Sequence, residues 1–479
     1  MKQKSLSNNV LLNLIKVLMS LVFPLITFPY ASRVLGPTGI GQVNFAQSIV
    51  SYFQIIAALG ISGYAIRGVA KLRDKKLELQ SFVKEVLTIN FISTIVAYFF
   101  LALGLALIGT IRDHAIVIIV CSSSILFSTI GMEWLYTGLE EFKYITIRSI
   151  AFQGISLVLL FLLVRDESDV VNYAIVCIVA NVGSNVCNFI HSRKIIDLFN
   201  AKIINLKKHF KPILVLFALA ITSSIYTLLD TSMLGFMRTD YEVGIYSAAT
   251  KINRIIVSLV TSIGTVLLPR LSYYVGTKDK EKFNDLAYTS VDVILMFAFP
   301  CCIGLNVLAS ESIQIICGPE YASAVTAMRI MNPLIVFVGM SNFTGVQLFL
   351  PLKKEKWVLY SDLVGAAVNF TINILLIPQL GVVGCAIGSI VAEGLVALIQ
   401  LYLARKIIEL KVIVKKLLYY FSISIAMGVS ISLVGNGIEN VLIKTSLKVI
   451  IGVAIYFVML LITKNKSVHM ILNKYLKKK

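Results

Sequence analysis

Charge is scarce in this 479-residue chain, and negative charge scarcest. Asp and Glu together number 25, and the four charged residue types make up 14 % of the sequence. A soluble protein carries about 25 %, so no room is left for ordinary soluble domains. Histidine is also rare. His114, His191, His209 and His469 are the four present, and none lies in a sequence cluster that would suggest a metal site or catalytic triad. The seven cysteines, Cys121, Cys177, Cys187, Cys301, Cys302, Cys317 and Cys385, include no CxxC pair. Most fall inside apolar runs, which reads as packing and argues against a disulfide framework or zinc site. The GxxxxGK[ST] phosphate loop is missing, so no ATP site is expected, and no cofactor. Gly36-x-x-Gly39-x-Gly41 lacks the strand-loop-helix setting and reads as a tight turn. The first apolar run continues to Tyr30 without a small-x-small site, which is too long for a cleavable signal core.

What is abundant is hydrophobicity, at 57 %. Long runs such as 86–108 and 293–308 exceed barrel strands of about 10 residues. A membrane helix needs roughly 20 apolar residues, and backbone polar groups in lipid must be paired internally. The expected fold is therefore an all-α polytopic membrane protein with about fourteen spans. They lie near 10–31, 41–62, 85–108, 115–136, 149–164, 171–190, 212–235, 245–268, 290–309, 329–350, 357–377, 382–403, 415–435 and 444–463. One set of loops and tails carries thirty-four Lys and Arg, and the opposite set seven. By the positive-inside rule the first set, with both termini, is cytoplasmic. The net charge of +19 thus reads as a topology signal in a cell-membrane protein, not as nucleic-acid binding. The tail ending Lys477-Lys478-Lys479 could also touch anionic lipid.

An internal echo relates the halves. Leu35-Gly36 followed by Gly41-Gln42-Val43 resembles Leu234-Gly235 followed by Gly244-Ile245-Tyr246. The expected organisation is a six-helix bundle over 1–200, a second over 201–410, and two further helices with a basic tail over 411–479.

Charge inside the spans marks candidate function, because an ion there costs roughly 3 kcal/mol. Lys251 and Arg254 share one face of the eighth span, about 10–15 Å from its outer end at 1.5 Å per residue. They are candidates for an anionic ligand, with snorkelling or pairing to Asp230 as the plainer reading. Lys16 and Arg33 are further cation candidates near opposite ends of the first span. The second span carries a polar row, Asn44, Gln47, Ser48, Ser51 and Gln54. The sixth carries Asn181, Ser184, Asn185 and Asn188, and the eleventh Asn369 and Asn373. Such rows face a cavity or another helix, not lipid. Asp230, Asp292 and Glu393 are candidates for binding a coupling ion, with Glu133 and Asp362 also near the membrane. Gly384-x-x-x-Gly388 suits close helix packing.

The stretch Phe28-Pro29-Tyr30-Ala31-Ser32-Arg33-Val34-Leu35-Gly36-Pro37, continuing Gly39-Ile40-Gly41-Gln42-Val43-Asn44-Phe45-Ala46, resembles the opening of polysaccharide repeat-unit flippases. These belong to the multidrug/oligosaccharidyl-lipid/polysaccharide exporter superfamily. Val243-Gly244-Ile245-Tyr246-Ser247-Ala248-Ala249 and Gly381-Val382-Val383-Gly384 are similar to the same family. The resemblance implies two six-helix bundles around a V-shaped cavity that works by alternating access. It implies an undecaprenyl-pyrophosphate-linked oligosaccharide as substrate, flipped to the outer leaflet for capsule or exopolysaccharide synthesis. Glycosyltransferases and a polymerase would be its working partners. Lys16, Arg33, Lys251 and Arg254 are candidate cavity cations, and Arg33 alone lies in the matching segment. A flippase for lipid II or a teichoic-type precursor, and a drug/cation antiporter, share the fold. A membrane polymerase or glycosyltransferase, which would be an enzyme, needs a long external catalytic loop, and the external connections here are short.

Overall fold

The computed structural model describes residues 6–197, 205–434 and 437–465. The basic tail at Lys477–Lys479 lies outside them. The described residues form helices throughout, without strands. Twelve helical segments are long and apolar enough to cross a membrane. One of them, Leu18–Leu72, takes in most of the first expected span and all of the second. The seventh expected span is the 31-residue helix Lys207–Met237. All fourteen expected spans therefore lie on helices.

The chain divides into two compact units, one ending at Gly244 and the other starting at Ile245. The first unit holds α1 (Leu6–Ala58), α2 (Ile61–Leu72), α3 (Lys76–Leu107), α4 (Gly109–Asp113) and α5 (Ala115–Gly131). It continues with α6 (Glu133–Gly138), α7 (Phe142–Leu163), α8 (Val170–Ile178), α9 (Asn185–Ile195) and α10 (Lys207–Met237). A π-helical segment, Val179–Gly183, joins α8 to α9.

Unbroken, the 53 residues of α1 would reach about 80 Å at 1.5 Å per residue, far beyond a ~30 Å hydrocarbon core. The helix is broken at Gly36, where φ is 64° and ψ 179°. That region is costly for residues with a Cβ, and Pro37 restarts the helix where its missing N–H does no harm. The chain reverses there. The Thr146 hydroxyl donates to the Leu12 carbonyl (3.1 Å) at the start of α7, and the Tyr30 hydroxyl to the Val164 carbonyl (2.9 Å) at its end. After the break, Gln54 returns to α5 and donates to Ser128 (2.9 Å), near the Lys16–Glu133 ion pair. The expected polar turn is thus a single-residue break between helical segments.

The echoed glycines meet. A side chain on Gly41 would collide with the Asp240 carbonyl, and one on Gly244 with the Pro37 carbonyl. Within the first unit, these two glycines let α1 and the first turn of the following helix cross at backbone contact.

The second unit takes most of α11 (Asp240–Gly276), then α12 (Lys280–Val307), α13 (Ala309–Ile316) and α14 (Ala324–Met331). After these come α15 (Leu334–Asn342), a π-helical segment Phe343–Phe349, α16 (Glu355–Leu380), α17 (Val382–Ala404), α18 (Leu410–Ser432) and α19 (Val441–Ile462). Its core joins α12, α15 and α18 through residues such as Ile294, Leu295, Ile335 and Tyr420, all buried. A buried polar chain pins the π-helical segment. Thr344 donates to Gln400 (2.6 Å), whose amide donates to Ser361 (2.8 Å).

Outward-facing Ile95 and Phe99 are 67 % and 63 % exposed, as suits side chains surrounded by lipid instead of water. Along the spans, hydroxyls return to their own helix, for example Ser51 to the Gln47 carbonyl (2.7 Å) and Thr129 to that of Ile125 (3.1 Å). This satisfies the hydroxyl without a partner helix.

The Gly384/Gly388 pair packs as its spacing suggests. Gly384 abuts the backbone of Leu376 and Ile377 on α16, and Gly388 abuts the Asn373 amide. Gly384→Val is expected to destabilise the protein by about 1–3 kcal/mol through overpacking. A thermal-unfolding midpoint unchanged from wild type would contradict this.

Candidate functional site: a polar chamber in the first unit

Two small cavities, of about 180 and 270 Å³, share Gln54, Asn181 and Val182 in their walls. The first adds Gln47, Ser51 and Ser124, and the second Asn90, Ser128, Glu133 and Asn185. Gln47, Ser51 and Gln54 of the row expected on the second span, and Asn181 and Asn185 of that on the sixth, thus line one chamber, while Asn44, Ser48, Ser184 and Asn188 do not. Its position follows from local structure. The reversal at Gly36 brings the second half of α1 beside α5, and the π-helical segment presents Asn181 on the far wall.

The surroundings hold these groups in place. The Asn181 amide donates to the Cys177 carbonyl (3.0 Å), and Asn188 donates to the Gly131 carbonyl (2.7 Å). Behind Asn185 lies Arg148, 6 % exposed. Its guanidinium donates to the Ser184 carbonyl (3.1 Å) and to the Asn185 side-chain oxygen (3.4 Å). Lys16 reaches the chamber through its ion pair with Glu133. Around the chamber stand two cations and one carboxylate. Amides and hydroxyls donate and accept hydrogen bonds without being strong nucleophiles or bases. The arrangement offers hydrogen bonds to a polar group.

The other candidates sit elsewhere. The Asn44 amide donates to the Ile40 carbonyl of its own helix (2.9 Å). Arg33 is exposed beside the Gly36 break, and Asp230 is half-buried on α10. On α11, Lys251 is half-buried and Arg254 exposed, and Glu393 is half-buried on α17. Asp292 forms an ion pair with Lys416 of α18 (2.8 Å) and accepts from the Tyr420 hydroxyl (3.3 Å). This ties α12 to α18 through a neutralised carboxylate.

Sequence reasoning missed two features. One is Arg148, which stands just before the expected span 149–164 and whose side chain is buried. The other is an apolar cavity of about 510 Å³ within the second unit. Its walls include Met296 and Leu305 of α12, Met427 of α18, and Val453 and Phe457 of α19. Lys448 stands at its edge, 5 % exposed. Its ammonium donates to Glu311 (2.9 Å), which also pairs with Lys444 (3.3 Å). Burial pushes the Glu311 pKa up, but the two lysines outweigh it and hold the group below its ordinary value.

The profile of a family described as polysaccharide biosynthesis protein matches residues 6–275, more than half of the chain. The chain belongs to that family. The profile described as MatE also matches, over residues 212–375. A family relative in Escherichia coli (strain K12), named as a candidate O-antigen transporter, is 25 % identical over 391 residues. That alignment covers 80 % of this chain and 93 % of the relative. A Shigella dysenteriae protein of the same name is 24 % identical, over 79 % of this chain and 95 % of its own. Among solved structures, the lipid II flippase MurJ in an inward closed conformation superposes with a TM-score of 0.76 at 17 % identity. It covers 96 % of this chain and 100 % of its own. A MATE-family multidrug transporter in an inward-facing conformation gives 0.63 at 13 % identity, over 80 % and 93 %. These likenesses place this family member in the fold of the multidrug/oligosaccharidyl-lipid/polysaccharide exporter superfamily.

Proposed function

We propose that the protein is a flippase that moves undecaprenyl-pyrophosphate-linked oligosaccharide units from the cytoplasmic to the outer leaflet, by alternating access. The observation that carries this reading is the polar chamber of the first unit, which offers hydrogen bonds inside a protein otherwise built for lipid. A sugar cannot cross hydrocarbon bare, because each unpaired hydroxyl costs several kcal/mol. Gln47, Gln54 and Asn181 replace part of its water. Lys251 and Arg254 on α11 attract the pyrophosphate, and Arg33 assists at the outer rim. The lysine-rich loops face the cytoplasm, where glycosyltransferases complete the unit, and a polymerase receives it outside. The names of the Escherichia coli and Shigella dysenteriae relatives favour an O-antigen-type unit over lipid II.

The apolar cavity of the second unit gives the polyprenyl tail a wall to follow. Gly304 lines it, and a Cβ there meets only Met427, at 3.9 Å. Gly304→Trp is expected to fill the cavity without a backbone clash and to slow transport of the long-chain lipid. A short-chain analogue is expected to be spared. Equal slowing of both lipids would remove the tail from this cavity.

The decisive test is the leaflet location of lipid-linked oligosaccharide in cells lacking the protein. Completed units trapped on the cytoplasmic leaflet are expected. Completed but unpolymerised units on the outer leaflet would indicate a polymerase instead.

A further inference from the structure

We propose that His114 and Asp240 form a proton-operated latch holding the first turn of α11 against α1. It lies at the end of the first unit that the charge asymmetry assigns to the outside. The hydrogen-bond geometry carries the argument. Nδ1 of His114 lies 2.8 Å from the Thr110 carbonyl, which can only accept. Nε2 lies 2.9 and 3.0 Å from the two carboxylate oxygens of Asp240, which also accept when ionised. With Asp240 ionised, both contacts are hydrogen bonds only when both ring nitrogens carry protons, that is, in the imidazolium. A neutral imidazole has one N–H and must give up Thr110 or Asp240.

Asp240 is clasped from the other side as well. Its backbone carbonyl rests where a Gly41 side chain would be, and Pro37 rests likewise on Gly244. The residue that His114 holds is therefore the residue at the glycine crossing. Any outward opening that parts α1 from α11 must move Asp240 away from both.

The latch has access to water and a defined electrostatic setting. His114 and Asp240 side chains are 14 % and 20 % exposed. A cavity of about 730 Å³ beside them is lined by Gln42, Arg112, Asp113 and Glu167 among others. The charged groups lining this cavity with the ring are Arg112 and Asp113 of α4, Glu167 of the α7–α8 loop and Asp240 of α11. α1 contributes Leu35, Thr38, Gly39 and Gln42 to that lining, and its Phe45 ring meets the imidazole edge-on at 5.0 Å. Arg238 and Glu242 at the α10–α11 turn pair with each other (3.0 Å).

The hydrogen bond to Asp240 is the largest cause raising the His114 pKa above its ordinary value, and burial opposes it. A raised histidine pKa gives stability that is full below the unlatched pKa and lost as pH rises through the latched one. The latch therefore holds in acid and releases toward alkaline pH on the outer side.

Hydrogen–deuterium exchange of the full-length protein in lipid nanodiscs, at pH 6 and pH 9, tests this. After correction for intrinsic exchange chemistry, amides of Asp240–Gly244 are expected to exchange about tenfold faster at pH 9. That is the scale of losing one charge-assisted hydrogen bond. His114→Gln and Asp240→Asn are each expected to give the same corrected rate at both pH values. A wild-type rate indifferent to pH, or a pH dependence that survives in both variants, overturns the latch. The readout needs no substrate, so its failure is separate from failure of the transport reading.

Discussion

Glu85→Ala is expected to cost this protein about 3–5 kcal/mol of stability, the scale for breaking a buried ion cluster. Glu85 sits near the start of α3 and is 0 % exposed. Burying a carboxylate is costly unless its oxygens are satisfied. Here one oxygen accepts the Asn205 backbone N–H (2.7 Å), and the other accepts His209 Nε2 (2.7 Å) and the Lys208 ammonium (2.8 Å). The far ring nitrogen of His209 is hydrogen-bonded to the Tyr64 hydroxyl (2.7 Å). One carboxylate thus fastens α3 to the start of α10 and, through the imidazole, to α2. Removing it strands a buried imidazole N–H and frees the start of α10. Glu85→Gln keeps the shape and is expected to lose less. Heating the purified protein in detergent and measuring the fraction still monodisperse checks both. An apparent melting temperature of Glu85→Ala equal to wild type would falsify the assignment.

The second large effect is functional. Gln54→Leu combined with Asn181→Leu removes two facing amides from the chamber while nearly conserving volume. Each lost neutral hydrogen bond is worth about 0.5–1.5 kcal/mol. If both contact the moving sugar, translocation should slow by about tenfold to a hundredfold. Folding should be little affected, since apolar side chains remain compatible with the surrounding helices. The measurement is a reconstituted flip assay with lipid-linked oligosaccharide, alongside the thermal midpoint of the same sample. Wild-type transport rates in a well-folded double variant would mean that the chamber does not solvate the sugar.

Much of the fold was legible because lipid imposes a simple rule. A span must be apolar, helical and long enough, so fourteen segments could be located from hydropathy alone. The rows of amides on the second and sixth spans were legible for the same reason, since lipid does not tolerate them. Their meeting in one chamber was not, because spacing reports the face of a helix and not which helix lies opposite. Lys16 shows the limit on charge. Its position marked it as a cation near a cavity, but Glu133, the partner that neutralises it, lies 117 residues away. Glu85, the first residue of the expected span 85–108, and His209 lie 124 residues apart, so their pairing is not visible in local sequence. Arg148 was hidden in the same way. The break at Gly36 was legible as a turn, but its compression into one residue depends on backbone geometry that hydropathy does not encode.

The π-helical turn at Val179–Gly183 has a genealogical consequence. Such a turn holds one residue more than the α-helix around it needs, and a single deletion would restore an even helix. Each residue of an α-helix advances the side-chain direction by about 100°. Losing one residue there would rotate everything on one side of the turn by that angle relative to the other. Asn181 and Asn185 would then stand three residues apart, still on one face, while the residues of α9 beyond them would be turned relative to those of α8. Among relatives of this chain, the presence of that extra residue should separate lineages that keep this orientation of α9 from those that have turned it toward another neighbour.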